Sequence, residues 1–149
     1  MEQAYAPGRV VGFAQEGSYI RQWDEGTDFW NRLAPQLHQP LRAFVWWQGE
    51  SDRHPGMVEI YGVKLQALVA RVRYEAADPQ LLVVICRVVN DPAFAGIRAA
   101  QEAYVATDPR AVLVSSDGLP LESAGSAHLS ADGYREMAQR VLRALERRE

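Results

Sequence analysis

After the apolar run Phe44-Val45-Trp46-Trp47, the chain reads Gln48-Gly49-Glu50-Ser51-Asp52: an amide, a glycine, a hydroxyl and two carboxylates in five consecutive positions. A strand end that presents chemistry has this composition, and so does an ordinary strand running into a polar loop. Three other loops share the character: Gln15-Glu16-Gly17-Ser18, Asn90-Asp91, and Ser115-Ser116-Asp117 leading on to His128. Gly17 and Gly49 stand where a backbone N–H can approach a ligand closely, because glycine has no Cβ in the way. The histidines (His38, His54 and His128) are scattered without a paired spacing, so no metal-ligand set is expected.

The elements that position these loops follow from periodicity. The β-branched run Arg9–Ala14, and the runs "LRAFVWW", "QLLVVICRVV" and "AVLVSS", read as four buried strands. Thr27 and Asp28 offer an N-cap for a short helix that ends near Pro35. Val58, Tyr61, Leu65, Leu68, Val69 and Val72 recur at helical spacing from about Gly56 to Tyr74. "AGIRAAQEAYVAT" is a further helix. Ser130 caps the last one, whose apolar stripe is Tyr134, Met137, Val141, Leu142 and Leu145. The resulting β-α alternation with all-apolar strands predicts a parallel sheet covered by helices on both faces. In such sheets ligands bind beyond the carboxyl ends of the strands, where all four polar loops fall.

Composition narrows the classes. The chain has 149 residues, 48% of them hydrophobic and 23% charged, which fits one domain, 1–149, with a substantial core. A formal net charge of −3 with dispersed basic residues argues against a nucleic-acid surface. The tail "RVLRALERRE" reads as the solvated face of a terminal helix. Cys86 is the single cysteine, and inside "LLVVICRVV" it acts as a small hydrophobe. No stretch has the make-up of a signal peptide or a membrane span, so the expected location is cytoplasmic or within a larger assembly.

Four blocks, in order, carry a resemblance to a known family. "WWQGESD" resembles the Trp-x-Gln-Gly-Glu block of the sialate O-acetylesterase-like carbohydrate esterases, a branch of the SGNH hydrolases. "VVGFAQEGSYIRQW" looks like that family's second block, and "IRAAQ" is similar to its Arg-x-x-Gln helix start. "SSDGLPLESAGSAHLSADGYREMAQRV" resembles the final block. The resemblance implies a three-layer, flavodoxin-like α/β fold and a serine-esterase mechanism on acetylated carbohydrate, with no cofactor. It implies His128 as general base, and Gln48, Gly49 and Gly17 as the oxyanion hole. A carboxamide suits that role because it donates a hydrogen bond without carrying a charge. Glu50 is then a buried carboxylate beside the site and, in some relatives, the acidic partner of the histidine.

Two departures qualify the expectation. The family opens on a strand ending in a Gly-x-Ser turn that bears the nucleophile, and no Gly-x-Ser-Asn occurs in this sequence. The domain is thus expected to be N-terminally truncated relative to the family. Its first, central strand is missing, which leaves three outcomes: the strands close up into a sheet of altered order, a protein partner or a second copy supplies a strand, or the chain is the downstream part of a split gene product. Gly125 stands where the family often has an aspartate three residues before the histidine, which leaves Asp117, Glu122 and Glu50 as candidate acidic partners. Ser18 falls in the oxyanion loop by this match, Ser115 and Ser116 at a strand end, and Ser51 in a hydrogen-bonded loop. Arg98 and Gln101 are read as loop-stabilising. The tryptophans are read as core, with stacking on a sugar open to one near the site. The alternative function is a non-catalytic carbohydrate-binding or assembly module.

Overall fold

A computed structural model describes residues 9–147. The elements in chain order are α1 (Asp28–Leu33), β1 (Ala43–Trp46), α2 (Met57–Glu75), β2 (Leu82–Cys86), α3 (Ala95–Thr107), β3 (Ala111–Val114) and α4 (Ala131–Glu146), with short 3₁₀ turns between them. The strands form one sheet in the order β1-β2-β3, and both pairings are parallel. In register, Phe44 faces Val83, and Val84 faces Val112. The fold is the α/β parallel sheet flanked by helices that the alternation predicts.

All five residues of β2 are buried, although successive side chains point to opposite faces, so both faces of the central strand are covered. The α2 and α3 helices pack side by side, while α4 lies on β2 and β3. Cys86 is fully buried, and burial pushes its thiol up to about 12. The helix starts obey local rules. The Thr27 and Ser130 side chains accept from the Trp30 and Gly133 N–H groups, capping α1 and α4. Pro35 sits at the start of the 3₁₀ turn Ala34–Leu37, where its missing N–H costs nothing. Among the described residues, no helix is long and apolar enough to cross a membrane.

One expected element is not formed. Residues 9–14 are irregular and Val10 is 96% exposed, so among the described residues the sheet has three strands and not four. A strand needs a neighbour for its N–H and C=O groups, and this segment lies against no other strand. It docks through a side chain instead. Phe13 packs on Trp23 and Phe29 at ring-centroid distances of 5.3 and 5.6 Å, and Trp23 meets Trp46 edge-on at 5.3 Å. Phe44 and Trp46 are buried on that aromatic side, while Val45, pointing the other way, is 44% exposed. Among the described residues β1 is therefore an edge strand with one face uncovered.

Candidate active-site groove

Beyond the carboxyl end of β1 the backbone turns sharply at Gly49, whose φ of 144° is a conformation side chains rarely adopt. A Cβ there would lie 2.6 Å from Ile97 Cγ2, so only glycine fits between the loop and α3. The Gln48 carbonyl accepts hydrogen bonds from the Tyr61 hydroxyl at 2.7 Å and the Gln101 amide at 3.1 Å, which fixes the turn against α2 and α3. Gln101 also accepts from the Val88 N–H at 3.2 Å, and Arg98 donates to the Val88 carbonyl at 2.6 Å. These two polar side chains at the start of α3 tie the loops after β1 and β2 together.

Asp52 is the residue that sequence reasoning undervalued. It is fully buried in the 3₁₀ turn Glu50–Arg53. It accepts from the Ile20 N–H at 3.0 Å and from Gln48 Nε2 at 2.5 Å, pinning the Gly17–Ile20 loop to the loop after β1. Burial pushes its carboxyl above the usual carboxylate range, and the bonds from Gln48 and Ile20 pull it part of the way back. The sequence signal was a carboxylate in the polar loop that follows a buried strand.

Gln48 Nε2 also donates to the Ser18 carbonyl at 2.7 Å. Both of its hydrogens are thus committed to acceptors inside the protein, and its Oε1 is buried without a partner. Exchanging the amide O and N would set an oxygen against a carbonyl and a carboxylate, so the acceptors fix this orientation. In this arrangement Gln48 braces two loops, with both amide hydrogens engaged inside the protein. Gly49 packs inward on Ile97, Tyr61 and Val88. Of the three expected oxyanion donors, only Gly17 lines the groove with its N–H uncommitted among the described residues.

That groove, about 870 Å³, runs beside β1 and is lined by Gly17, Gln48, Glu50 and His128 among others. Segments separated by more than a hundred residues meet here. Burial pushes the Glu50 carboxyl above its ordinary range, opposed by its own backbone N–H, the charge of His128 and the Gly49 N–H. His128 is exposed, at the neck of a loop closed on itself. Leu121 pairs with Leu129 in an antiparallel bridge, the Glu122 N–H donates to the His128 carbonyl at 3.0 Å, and the Ser130 N–H donates to the Pro120 carbonyl at 2.9 Å. Ser126 Oγ accepts from the His128 N–H at 3.0 Å.

The other acidic candidates lie outside the groove lining. Asp117 accepts from Arg98 at 2.8 Å and pairs with Arg87, while Arg140 holds the carbonyls of Ser115 and Asp117 at 2.8 and 2.9 Å. Burial alone would raise the Asp117 carboxyl, but Arg98, Ser115 and Arg87 together hold it below the usual range. Glu122 is exposed on the closed loop. The serines are also accounted for: Ser18 Oγ accepts from the Trp23 indole at 3.2 Å, and Ser116 Oγ donates to the Val88 carbonyl at 2.9 Å. Ser51 lines the groove. Among the described residues, no three His, Cys, Asp or Glu side chains form a group able to hold a metal ion.

A parallel α/β sheet with its polar groove at the carboxyl edge of the strands is the architecture of a three-layer α/β domain whose ligands bind at that edge. The chain belongs to the family of carbohydrate esterases described as sialic acid-specific acetylesterases, whose profile matches residues 3–147. No curated protein sequence matches it significantly. Among solved structures it is similar to an X-ray structure of a protein from Arabidopsis thaliana, with a TM-score of 0.79 and 23% identity. The match covers 87% of this chain and 56% of that one, and at this identity it shows the fold. The chain thus spans little more than half the length of that relative.

Proposed function

We propose that this chain carries the base, the acidic partner and one oxyanion donor of a carbohydrate O-acetylesterase, and that the nucleophilic serine comes from a segment added along the open edge of β1. His128 takes the proton of that serine as it attacks the acetyl carbonyl and returns it to the departing sugar hydroxyl. Glu50 orients the imidazole and stabilises its cation. The Gly17 N–H faces the developing oxyanion. Gln48 and Asp52 hold the Gly17 loop at its distance from the base. The observation that carries this reading is the convergence of Gly17, Glu50 and His128 on one groove. The strand edge beside it supports the source of the nucleophile: among the described residues β1 is unpaired on its outer side, Val45 is exposed, Ser18 lines the groove but accepts from the Trp23 indole, and Ser116 donates to the Val88 carbonyl.

The test is hydrolysis of p-nitrophenyl acetate and of an O-acetylated sugar. The chain alone should be inactive or nearly so. A strand-forming segment carrying a Gly-x-Ser turn should restore turnover, and His128→Ala or Glu50→Gln should remove it again. Base and oxyanion donors without the nucleophile leave about 10³–10⁴-fold over water, far below a working enzyme. Robust hydrolysis by the chain alone, abolished by Ser51→Ala, would move the nucleophile into the groove itself and overturn the external source. Failure of every supplied segment would favour the second reading, a carbohydrate-binding module, which the commitment of Ser18 and Ser116 to internal hydrogen bonds supports.

A further inference from the structure

Two aromatic side chains stand at the groove beside His128 without being absorbed into the core. Trp47 is the first residue past the carboxyl end of β1, and Tyr134 lies on the first turn of α4. Their ring centroids are 5.4 Å apart, with the planes inclined at 51°, and both line the groove that holds Glu50 and His128. Trp23, Trp30 and Trp46 are each at most 5% exposed, whereas Trp47 is half-buried and Tyr134 is 45% exposed. Neither the Trp47 indole N–H nor the Tyr134 hydroxyl is hydrogen-bonded to another described residue.

The pair therefore offers an apolar face and two unused polar tips at the mouth of a polar groove. A pyranose ring matches both: its C–H face covers an aromatic ring, and the hydroxyls at its rim reach an indole N–H and a phenol O–H. An acyl or alkyl chain would cover the rings and leave the polar tips unpaired. We propose that Trp47 and Tyr134 form a stacking subsite for the pyranose ring of the substrate, which sets the ring so that its ester points toward Glu50 and His128. The inference deepens the esterase reading in assigning the ester's direction. The binding event itself needs no nucleophile.

The experiment is binding, measured by saturation-transfer NMR and titration calorimetry on the 149-residue chain. The probe is methyl 6-O-acetyl-β-D-glucopyranoside, with ethyl acetate as the ring-free control. The wild-type chain should bind the glycoside and not ethyl acetate. Saturation should be strongest at H1, H3 and H5, the axial protons of one ring face. Trp47→Ala and Tyr134→Ala should each weaken binding about tenfold, the size expected for one lost aromatic face. Trp47→Phe and Tyr134→Phe, which keep a ring but remove the indole N–H or the hydroxyl, should each weaken binding by less than the matching alanine variant. Near-ultraviolet circular dichroism checks that each variant is folded. No binding by the wild-type chain, equal saturation of all ring protons, or affinity unchanged in folded alanine variants would each overturn the proposal. Binding is read without turnover, so absent hydrolysis in the acetyl-ester assay with this ring contact intact would fail the esterase reading and leave the stacking subsite standing.

Discussion

Replacing Gly49 by alanine places a methyl group where the structure has no room for one, and the cost can be built from two terms. The first is conformational. At φ 144° an L-residue is strained, by about 1–3 kcal/mol. The second is steric. The new Cβ would stand 2.6 Å from Ile97 Cγ2 and 3.2 Å from both the Tyr61 hydroxyl and Val88 Cγ1, all in a packed interior. Overpacking of this kind costs about 1–3 kcal/mol. The sum is about 2–6 kcal/mol, a large part of the 5–15 kcal/mol that holds a typical domain together. For a chain of this length each kcal/mol moves the melting temperature by about 2–4 °C. Gly17→Ala is the matched control: φ is 67°, but nothing lies within 4 Å of the added Cβ, so only the left-handed strain remains. That strain is about 1–2 kcal/mol. Urea unfolding followed by tryptophan fluorescence and far-ultraviolet circular dichroism gives both values, provided the slopes agree with wild type. If Gly49→Ala costs no more than Gly17→Ala, the contact with Ile97 does not confine the turn and the reasoning fails.

Other expectations follow from the same geometry. Asp52→Ala strands the Ile20 N–H and a Gln48 N–H without an acceptor and should cost about 2–4 kcal/mol in urea unfolding; a loss below about 1 kcal/mol would mean the loops are not held through it. Burial opposes the ionisation of Asp117 and Asp108, yet Arg98 and Arg87 in one case, and Arg73 with Tyr104 in the other, hold both carboxyls below their ordinary range. Their contribution is therefore present above about pH 4 and lost as pH falls through the lower folded values. Asp117→Asn combined with Asp108→Asn should flatten that acid limb, and an unchanged limb would refute the assignment. Glu50 is shifted the other way by burial, so its ionised form weakens the fold as pH rises through its raised value. Glu50→Gln should accordingly raise the melting temperature at neutral pH more than in mild acid; a fall at neutral pH would show that the carboxylate is better compensated than its burial implies.

The parts of the fold that were legible in the sequence are those set by local pattern. The strands at Phe44, Val83 and Leu113 are uninterrupted apolar runs, and α2 shows its buried face as Tyr61, Leu65, Leu68, Val69 and Val72. The run at Val10 has the same local signal and forms no strand, because pairing depends on a neighbour that the run itself does not specify. The groove was legible only in outline. That loops following successive parallel strands share one edge is a rule of topology, and Gln48 and Glu50 follow β1 in that way, whereas Gly17, which follows no strand, lines the same groove by a route the rule does not cover. The orientation of the Gln48 amide was not readable, since it is fixed by the Ser18 carbonyl thirty residues earlier and by a buried carboxylate four residues later. Likewise, nothing local distinguishes Trp47 from Trp46. Trp46 packs into the aromatic cluster edge-on to Trp23, whereas Trp47, just past the strand end, lines the groove.

The closed loop that carries His128 has a consequence for how this sequence can change. Its neck, fastened by the Leu121–Leu129 bridge and the bond from the Glu122 N–H to the His128 carbonyl, fixes where the histidine sits. The exposed tip Ser123-Ala124-Gly125 lies beyond that fastening. Lengthening a loop is entropically cheap: each doubling costs about 0.6 kcal/mol, and exposed tips with small residues are where insertions are best tolerated. The tip is thus a splice point. A reporter peptide, an affinity handle or a recognition segment inserted there would ride a few residues from the groove while the neck keeps the imidazole in place.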